Sequence, residues 1–319
     1  MQKTKSYLLL SFILICSNVS AETQDIDAVA DRAQKTNFID ASVKQVKSES
    51  EETVTARELK SQLNPRKLFL RSSTALVMDK SEGVVLFDRD VDKKMSIASL
   101  TKVMTAMVII DSKLDMHERI TIKRKDRDRL RGSKSRLSYG TILTRFDMLK
   151  ISLAASENRA AKALARTYPG GRKAFIRAMN AKARSLGMKN TRFKDATGLH
   201  SDNKSTALDL VKMVAAAGNY PLIRELSTTG KSYVTDLRAG WKVEFFNTNR
   251  LVRRKNWDIG LSKTGYIADA GHCLVMETTI ANRPMIIVLL NSWGKLSKFG
   301  DSNRIKRWLQ NAETRLASI

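Results

Sequence analysis

Apolar positions fall into distinct spacing regimes along the chain, and each change of spacing predicts where strands give way to helices. The runs 74–78 and 84–87 are short and rich in Val, Leu and Phe. They are separated by Asp79-Lys80-Ser81-Glu82-Gly83, a turn-forming cluster, and so read as a β-hairpin. Residues 103–110 are continuously apolar and read as a buried helix. Segments 143–168, 172–186 and 206–217 are Ala- and Leu-rich at helical spacing, broken by Gly, Asn and Pro clusters, which predicts a helical lobe from about residue 105 to 225. Strand-like runs return at 231–237, 241–247, 259–264, 274–280 and 285–290, the last two flanking the turn Ala281-Asn282-Arg283-Pro284. Finally, 303–316 aligns Ile305, Trp308, Leu309, Ala312 and Leu316 on one helical face, which a sheet can cover. Strands towards both ends with helices between them predict an α/β (α+β) fold, an antiparallel sheet flanked by helices with a helical lobe inserted.

The first residues carry a different pattern. Lys3 and Lys5 precede an apolar run at 7–16, and Val19-Ser20-Ala21 offers small residues for cleavage, so 1–21 reads as a secretory signal removed after Ala21. No later segment holds eighteen uninterrupted apolar residues, so at most a peripheral membrane association is expected, in a periplasmic compartment. Residues 22–66 are polar and mixed in charge, which predicts a flexible arm ahead of a catalytic domain at 67–319.

Composition removes several functions. A net charge of +25 would ordinarily favour nucleic acid, but export leaves cell-wall polymers, lipid headgroups and carboxylate-bearing peptides as the available anions. Cys16 lies in the leader, so the mature chain keeps Cys273 alone, without a disulfide, in an apolar stretch where a thiol acts as a small hydrophobe. His117, His200 and His272 are the three histidines; no His-Glu-x-x-His or Gly-x-Ser-x-Gly accompanies them. They read as structural or surface residues, with no metal and no cofactor required. The basic run between Lys123 and Arg136 reads as a solvated face.

Candidate chemistry begins at Ser99-Leu100-Thr101-Lys102, at the start of the apolar helix. A Ser and a Lys three apart on a helix share one face, so the amine can reach the hydroxyl and serve as its base. Ser-x-x-Lys recurs at Ser201 and Ser292, but neither copy opens a long apolar helix. Lys263-Thr264-Gly265 occurs once, at a strand end, where Lys and Thr can hold a substrate carboxylate and Gly permits close backbone approach. A second cation near Lys102 would lower its pKa. Two Ser-x-Asn segments compete for a third element, Ser156-Glu157-Asn158 between two helices and Ser201-Asp202-Asn203 in a loop. The first is preferred, because a break between helices of the inserted lobe can face the strand carrying Lys263.

These elements in this order resemble the penicillin-binding protein and serine β-lactamase superfamily. The stretch 96–105, Ala196-Thr197-Gly198-Leu199, and Lys263-Thr264-Gly265-Tyr266 are similar to the low-molecular-mass D-alanyl-D-alanine peptidases, and the Ser-Glu-Asn spelling to their type-7 endopeptidase branch. The resemblance covers about residues 67–319. It implies a penicillin-binding transpeptidase-like fold and a penicillin-inhibited serine DD-peptidase acting on peptidoglycan stem peptides. In that scheme Ser99 attacks the D-Ala carbonyl, Lys102 takes its proton, Ser156 and Asn158 relay protons and position substrate, and Lys263 and Thr264 bind the acyl-acceptor side. The amides of Ser99 and Tyr266 would form the oxyanion hole. No Glu-x-x-Leu-Asn follows Asn158, so β-lactams are expected as inhibitors rather than substrates. Cleavage of D-alanyl cross-links is the expected reaction, since little chain follows Gly265 to hold the enzyme at a membrane. Removal of a terminal D-Ala, and a catalytically silent wall-binding protein, are the alternatives.

Overall fold

The structure, a computed structural model, describes residues 54–318; the expected leader and residues 22–53 of the expected arm lie outside the described residues. In chain order the described residues form helix α1 (Ala56–Ser61), strands β1 (Ser72–Asp79), β2 (Val85–Arg89) and β3 (Met95–Ser96), and helix α2 (Thr101–Asp111). Strands β4 (Arg119–Thr121) and β5 (Ile142–Thr144) precede helices α3 (Arg145–Ala154), α4 (Asn158–Arg166) and α5 (Gly171–Ser185). Strand β6 (Lys204–Ser205) leads to helices α6 (Ala207–Ala217) and α7 (Pro221–Thr228). The chain then runs through β7 (Lys231–Thr235), β8 (Lys242–Phe246), β9 (Asp258–Ile267), β10 (Gly271–Ile280) and β11 (Arg283–Ser292) into helix α8 (Ser297–Leu316).

Five antiparallel strands make the central sheet in the order β2-β1-β11-β10-β9, so the two ends of the described chain meet at the β1–β11 pairing. Successive strand residues point to opposite faces, and both faces are covered. Ala75, Val77, Leu274, Met276, Ile287 and Leu289 pack with Ile305, Leu309 and Ala312 of α8. Leu76, Val275, Ile286, Val288 and Leu290 pack with the helical lobe, of which α2 is the centre. Every residue from Thr101 to Ile109 is buried, so α2 has no solvated face. Each large apolar side chain so buried contributes roughly 1.5–3 kcal/mol. Strand β9 stands at the sheet edge, where one row of its backbone groups has no strand partner.

Three expectations need adjusting. The arm stops short of residue 66. Thr55 and Glu58 close a capping box on α1, and Leu59 and Leu63 are buried with α8, because amphipathic spacing within 56–63 supplies a packing face that average polarity concealed. The lobe extends to Thr228 through α7, which opens on Pro221 at a position where its missing N–H is harmless. Helix α8 starts at Ser297 rather than 303, and buried Phe299 and Asp301 lie in that extra turn.

Candidate active site

Ser99 sits in a 3-10 turn, Ala98–Leu100, immediately before α2, rather than in the helix itself. Ala98 has φ +46°, a left-handed conformation costing an L-residue roughly 1–2 kcal/mol, and this bend sets Ser99 at the mouth of the helix. Two glycines close on the bend. A β-carbon at Gly265 would stand 2.9 Å from the Ser99 amide nitrogen, and one at Gly198 (φ +82°) would collide with the Ala98 carbonyl. The Lys-Thr-Gly glycine is thus required by close approach of β9 to the nucleophile's own backbone.

Beneath Ser99, the Lys102 ammonium is completely buried and reaches three oxygens: Ser99 Oγ at 2.9 Å, Asn158 Oδ1 at 2.7 Å and the Thr197 carbonyl at 2.8 Å. Burial pushes its pKa down from 10.5 to about 7, although Asp195, Glu157 and Asp128 act in the opposite direction. Lys263 is buried as well, with its amine donating to the Thr264 carbonyl at 2.9 Å. Its pKa lies well below the ordinary lysine value, first through burial and then through Lys102. Desolvation dominates at Lys102; the cation that lowers it further is Lys162 rather than Lys263, and the repulsion between the two buried lysines falls on Lys263.

A cleft of about 960 Å³ opens above these lysines, larger than the cavities of about 490 and 410 Å³ against α8. Ser99, Ser156, Asn158, Thr264, Gly265 and Tyr266 line it. Lys263 does not; its buried amine is turned to the Thr264 carbonyl, behind the cleft wall and out of direct contact with a ligand. Ser156 has φ +61° and sits at the break between α3 and α4, and Asn158 donates to Ser133 Oγ at 2.9 Å. Thr264 Oγ1 pairs with Thr248 Oγ1 at 2.6 Å, and the exposed Tyr266 ring stacks on His272 at 4.3 Å.

Sequence reasoning overlooked several residues at this site. Arg131 and Ser133, within the run taken as a solvated face, line the cleft, and Arg131 spans it to the Leu199 carbonyl and Asp269. His272, taken as structural or surface, lines it too; burial followed by Lys298 and Lys295 lowers its pKa. Lys298 is 5% exposed, donates to the Lys295 carbonyl at 2.7 Å and faces the same cleft. Burial lowers its pKa to about 8. The one available signal for Lys298 was its place in α8, which the helical pattern started six residues too late. Among the described residues no Asp or Glu lines the cleft, so its field suits an anionic ligand. Cys273 is buried, and burial lifts its thiol to about 11, consistent with a packing role.

None of Ser201, Asp202 and Asn203 lines the cleft. The Ser201 carbonyl accepts Ser96 Oγ at 2.5 Å, while fully buried Asn203 holds Thr101 Oγ1 and the Lys194 and Asp195 amides.

This arrangement offers a hydroxyl, a buried amine able to exchange its proton near neutrality, and an edge strand along a cationic cleft, which suffices for nucleophilic acyl transfer to a peptide. Comparison with known proteins gives the same class. The profile described as D-alanyl-D-alanine carboxypeptidase, peptidase S11, matches residues 60–294. The D-alanyl-D-alanine endopeptidase of Pseudomonas aeruginosa is 47% identical over 244 residues, covering 76% of this chain and 79% of that protein. The D-alanyl-D-alanine endopeptidase of Escherichia coli is 44% identical with the same coverage. Among solved structures, the Streptomyces K15 DD-transpeptidase superposes with a TM-score of 0.70 at 27% identity, over 76% of this chain and 98% of that one. The chain therefore belongs to the S11 family of D-alanyl-D-alanine peptidases.

Proposed function

We infer that the protein is a penicillin-binding serine DD-peptidase that hydrolyses D-alanyl cross-links of peptidoglycan through an acyl-enzyme on Ser99. The observation that carries this reading is the Lys102 amine, buried, tuned to about 7 and bonded to Ser99 Oγ, Asn158 Oδ1 and the Thr197 carbonyl. A neutral amine has two N–H donors and one lone pair. With the donors on Asn158 and Thr197, the lone pair is left for the Ser99 hydroxyl, the orientation a general base requires.

In the acylation step the Ser99 oxygen bonds to the D-Ala carbonyl carbon as its proton passes to Lys102. The tetrahedral oxyanion takes the amides of Ser99 and Tyr266. Collapse breaks the C–N bond, and the departing amine receives a proton from the Lys102 ammonium, relayed by Ser156. Water then cleaves the ester by the same base, restoring Ser99. The substrate backbone adds along the free edge of β9, Thr264 receives the carboxylate of the acceptor, and Lys298 lies further along that side as a buried cation. Preference for cross-links over terminal D-Ala is supported by the endopeptidase names of the two relatives described above.

Purified protein should convert cross-linked muropeptide dimers to monomers faster than it releases D-Ala from monomeric pentapeptides. Faster D-Ala release would make it a carboxypeptidase. Labelled penicillin should modify Ser99, and labelling that persists in Ser99→Ala would remove the acyl-enzyme. We further propose that residues 1–21 direct export to the periplasm, a reading that rests on the leader pattern alone. A mature protein whose first residue is Glu22 is the expected result of N-terminal sequencing.

A further inference from the structure

Two acids lie within the basic run between Lys123 and Arg136, both are buried, and the fold holds them differently. Asp126 takes two cations, Arg166 and Arg172, which tie the loop between β4 and β5 to the helical lobe. Asp128, 5% exposed, is held by the loop's own donors. Its Oδ1 accepts the Leu130 and Arg131 amides at 2.8 and 3.1 Å, its Oδ2 accepts the Ser133 amide at 2.9 Å, and the Ser133 hydroxyl bonds the same carboxylate. Burial raises its pKa, but the Ser133 hydroxyl and the three amides outweigh that and hold it at about 2. Asp128 therefore stays charged at neutral pH.

From this carboxylate a line of hydrogen bonds runs to the catalytic amine. Ser133 Oγ accepts Asn158 Nδ2 at 2.9 Å, and Asn158 Oδ1 accepts the Lys102 amine at 2.7 Å. The direction of each bond follows from the charge at the far end. A hydroxyl has one proton, and with that proton on Asp128, Ser133 offers Asn158 only a lone pair. Nδ2 is the one part of the carboxamide able to use it, so Oδ1 is turned to Lys102. A Ser133 proton free of Asp128 could bond Oδ1 instead, and the flipped carboxamide would then set its own N–H donors against the lysine. The other side of the loop is fixed from the same carboxylate: the Arg131 amide bonds it, and the Arg131 side chain reaches the Leu199 carbonyl, two residues beyond the Thr197 carbonyl that also accepts Lys102.

We propose that Asp128 is a positioning residue of the acyl-transfer site: through Ser133 it locks the Asn158 carboxamide with Oδ1 towards Lys102, and so leaves the lysine lone pair aimed at Ser99. Asp128 does not line the cleft and acts only through Ser133 and Asn158, which do. The proposal rests on Lys102 being the base of the DD-peptidase reading and adds what orients that base.

The test follows β-lactam acylation of the full chain at about pH 9, above the value of about 7 at Lys102, so that the lysine is neutral in every variant and the rate reports its orientation rather than its charge. Asp128→Asn keeps the side-chain size and an oxygen for the Leu130 and Arg131 amides but turns an N–H donor to Ser133. It should lower the saturating acylation rate roughly tenfold with little change in the half-saturating β-lactam concentration, the loss expected for one charge-assisted hydrogen bond felt in the reacting state. Ser133→Ala, which keeps the backbone amide on Asp128, should do the same with melting little changed. Together the two substitutions should cost about as much as either alone, because both cut one chain. A combined loss of about a hundredfold, the product of two independent effects, overturns the proposal. So does a single variant that acylates at the wild-type rate, or a loss seen only as a higher half-saturating concentration. Asp128→Glu, which displaces the carboxylate, takes the place of Asp128→Asn in the same cycle if the carboxamide variant does not fold. A Lys102→Ala variant that acylates at the wild-type rate overturns the base assignment itself, and the role of Asp128 with it.

Discussion

Ser156-Glu157-Asn158 and Ser201-Asp202-Asn203 are almost the same three residues, yet the fold uses them oppositely. Asn158 lies at the cleft and bonds Lys102 directly. Asn203 is fully buried; besides Thr101 and the loop amides, its carbonyl accepts the Ile97 amide at 3.0 Å. It thereby holds the Ile97 backbone and the Thr101 hydroxyl on either side of the Ser99 turn, together with the loop that presents the Thr197 carbonyl to Lys102. One segment acts on the base, the other on the frame that holds the base. A spelling match identifies which atoms are available, whereas the surrounding helices decide which of them meet solvent.

The sharpest test begins at the point where the two segments converge. Lys102→Ala should slow β-lactam acylation of Ser99 at least about a hundredfold, the lower range for a positioned proton acceptor. In the wild type the same rate should fall as pH drops through about 7, because burial has lowered the lysine's pKa and protonation removes the lone pair. A rate flat from acid to alkaline pH would take Lys102 out of the base role.

Asn158→Ala should cut acylation by about tenfold or more, the worth of a hydrogen bond to a charged group, with a smaller effect on melting. Asn203→Ala should show the reverse weighting. It strands the Lys194 and Asp195 amides and Thr101, and should lower unfolding free energy by about 1–3 kcal/mol in denaturant titration. If Asn203→Ala lost activity at unchanged stability, the division between site and frame would be wrong.

A smaller contrast separates the two serines. Ser156→Ala should impair acylation or turnover, whereas Ser201→Ala should leave both nearly unchanged, since Ser201 contributes its backbone carbonyl and alanine keeps that group. The smallest effect is electrostatic. Glu157 raises the Lys102 pKa, so Glu157→Gln should move the acid limb of the acylation profile to lower pH, and Asp202→Asn should not move it. A shift produced by Asp202→Asn would show that the second segment reaches the base through its charge.

Much of this architecture was legible in the order of residues. Alternating and continuous apolar runs located the strands of the central sheet, because a sheet covered on both faces needs long apolar segments. Ser99 and Lys102 were legible because spacing along one helix turn needs no knowledge of the rest of the chain. Residues that join the site from distant segments were not. Arg131, Ser133, His272 and Lys298 come from a loop, a strand start and a helix start, and nothing local marks them as neighbours. The helix of residues 56–61 was hidden for a related reason: its stability comes from leucines packed on α8, more than 240 residues away in the chain.

By itself, then, the sequence determined the strands of the central sheet and most of the longer helices, the nucleophile and its lysine, and the Lys-Thr-Gly strand, all matters of local spacing. Tertiary structure alone decided that Lys102 is dry enough to titrate near 7, since desolvation depends on what every packed element excludes. It also decided that Lys263 acts from beneath the cleft wall and that Gly265 must lack a β-carbon to let β9 approach Ser99. Between the two Ser-x-Asn segments, the predicted break between helices already favoured Ser156 over Ser201. At the break between α3 and α4 the structure sets left-handed Ser156 on the cleft wall, whereas in the other copy Asn203 is buried, Asp202 is exposed and none of the three residues lines the cleft.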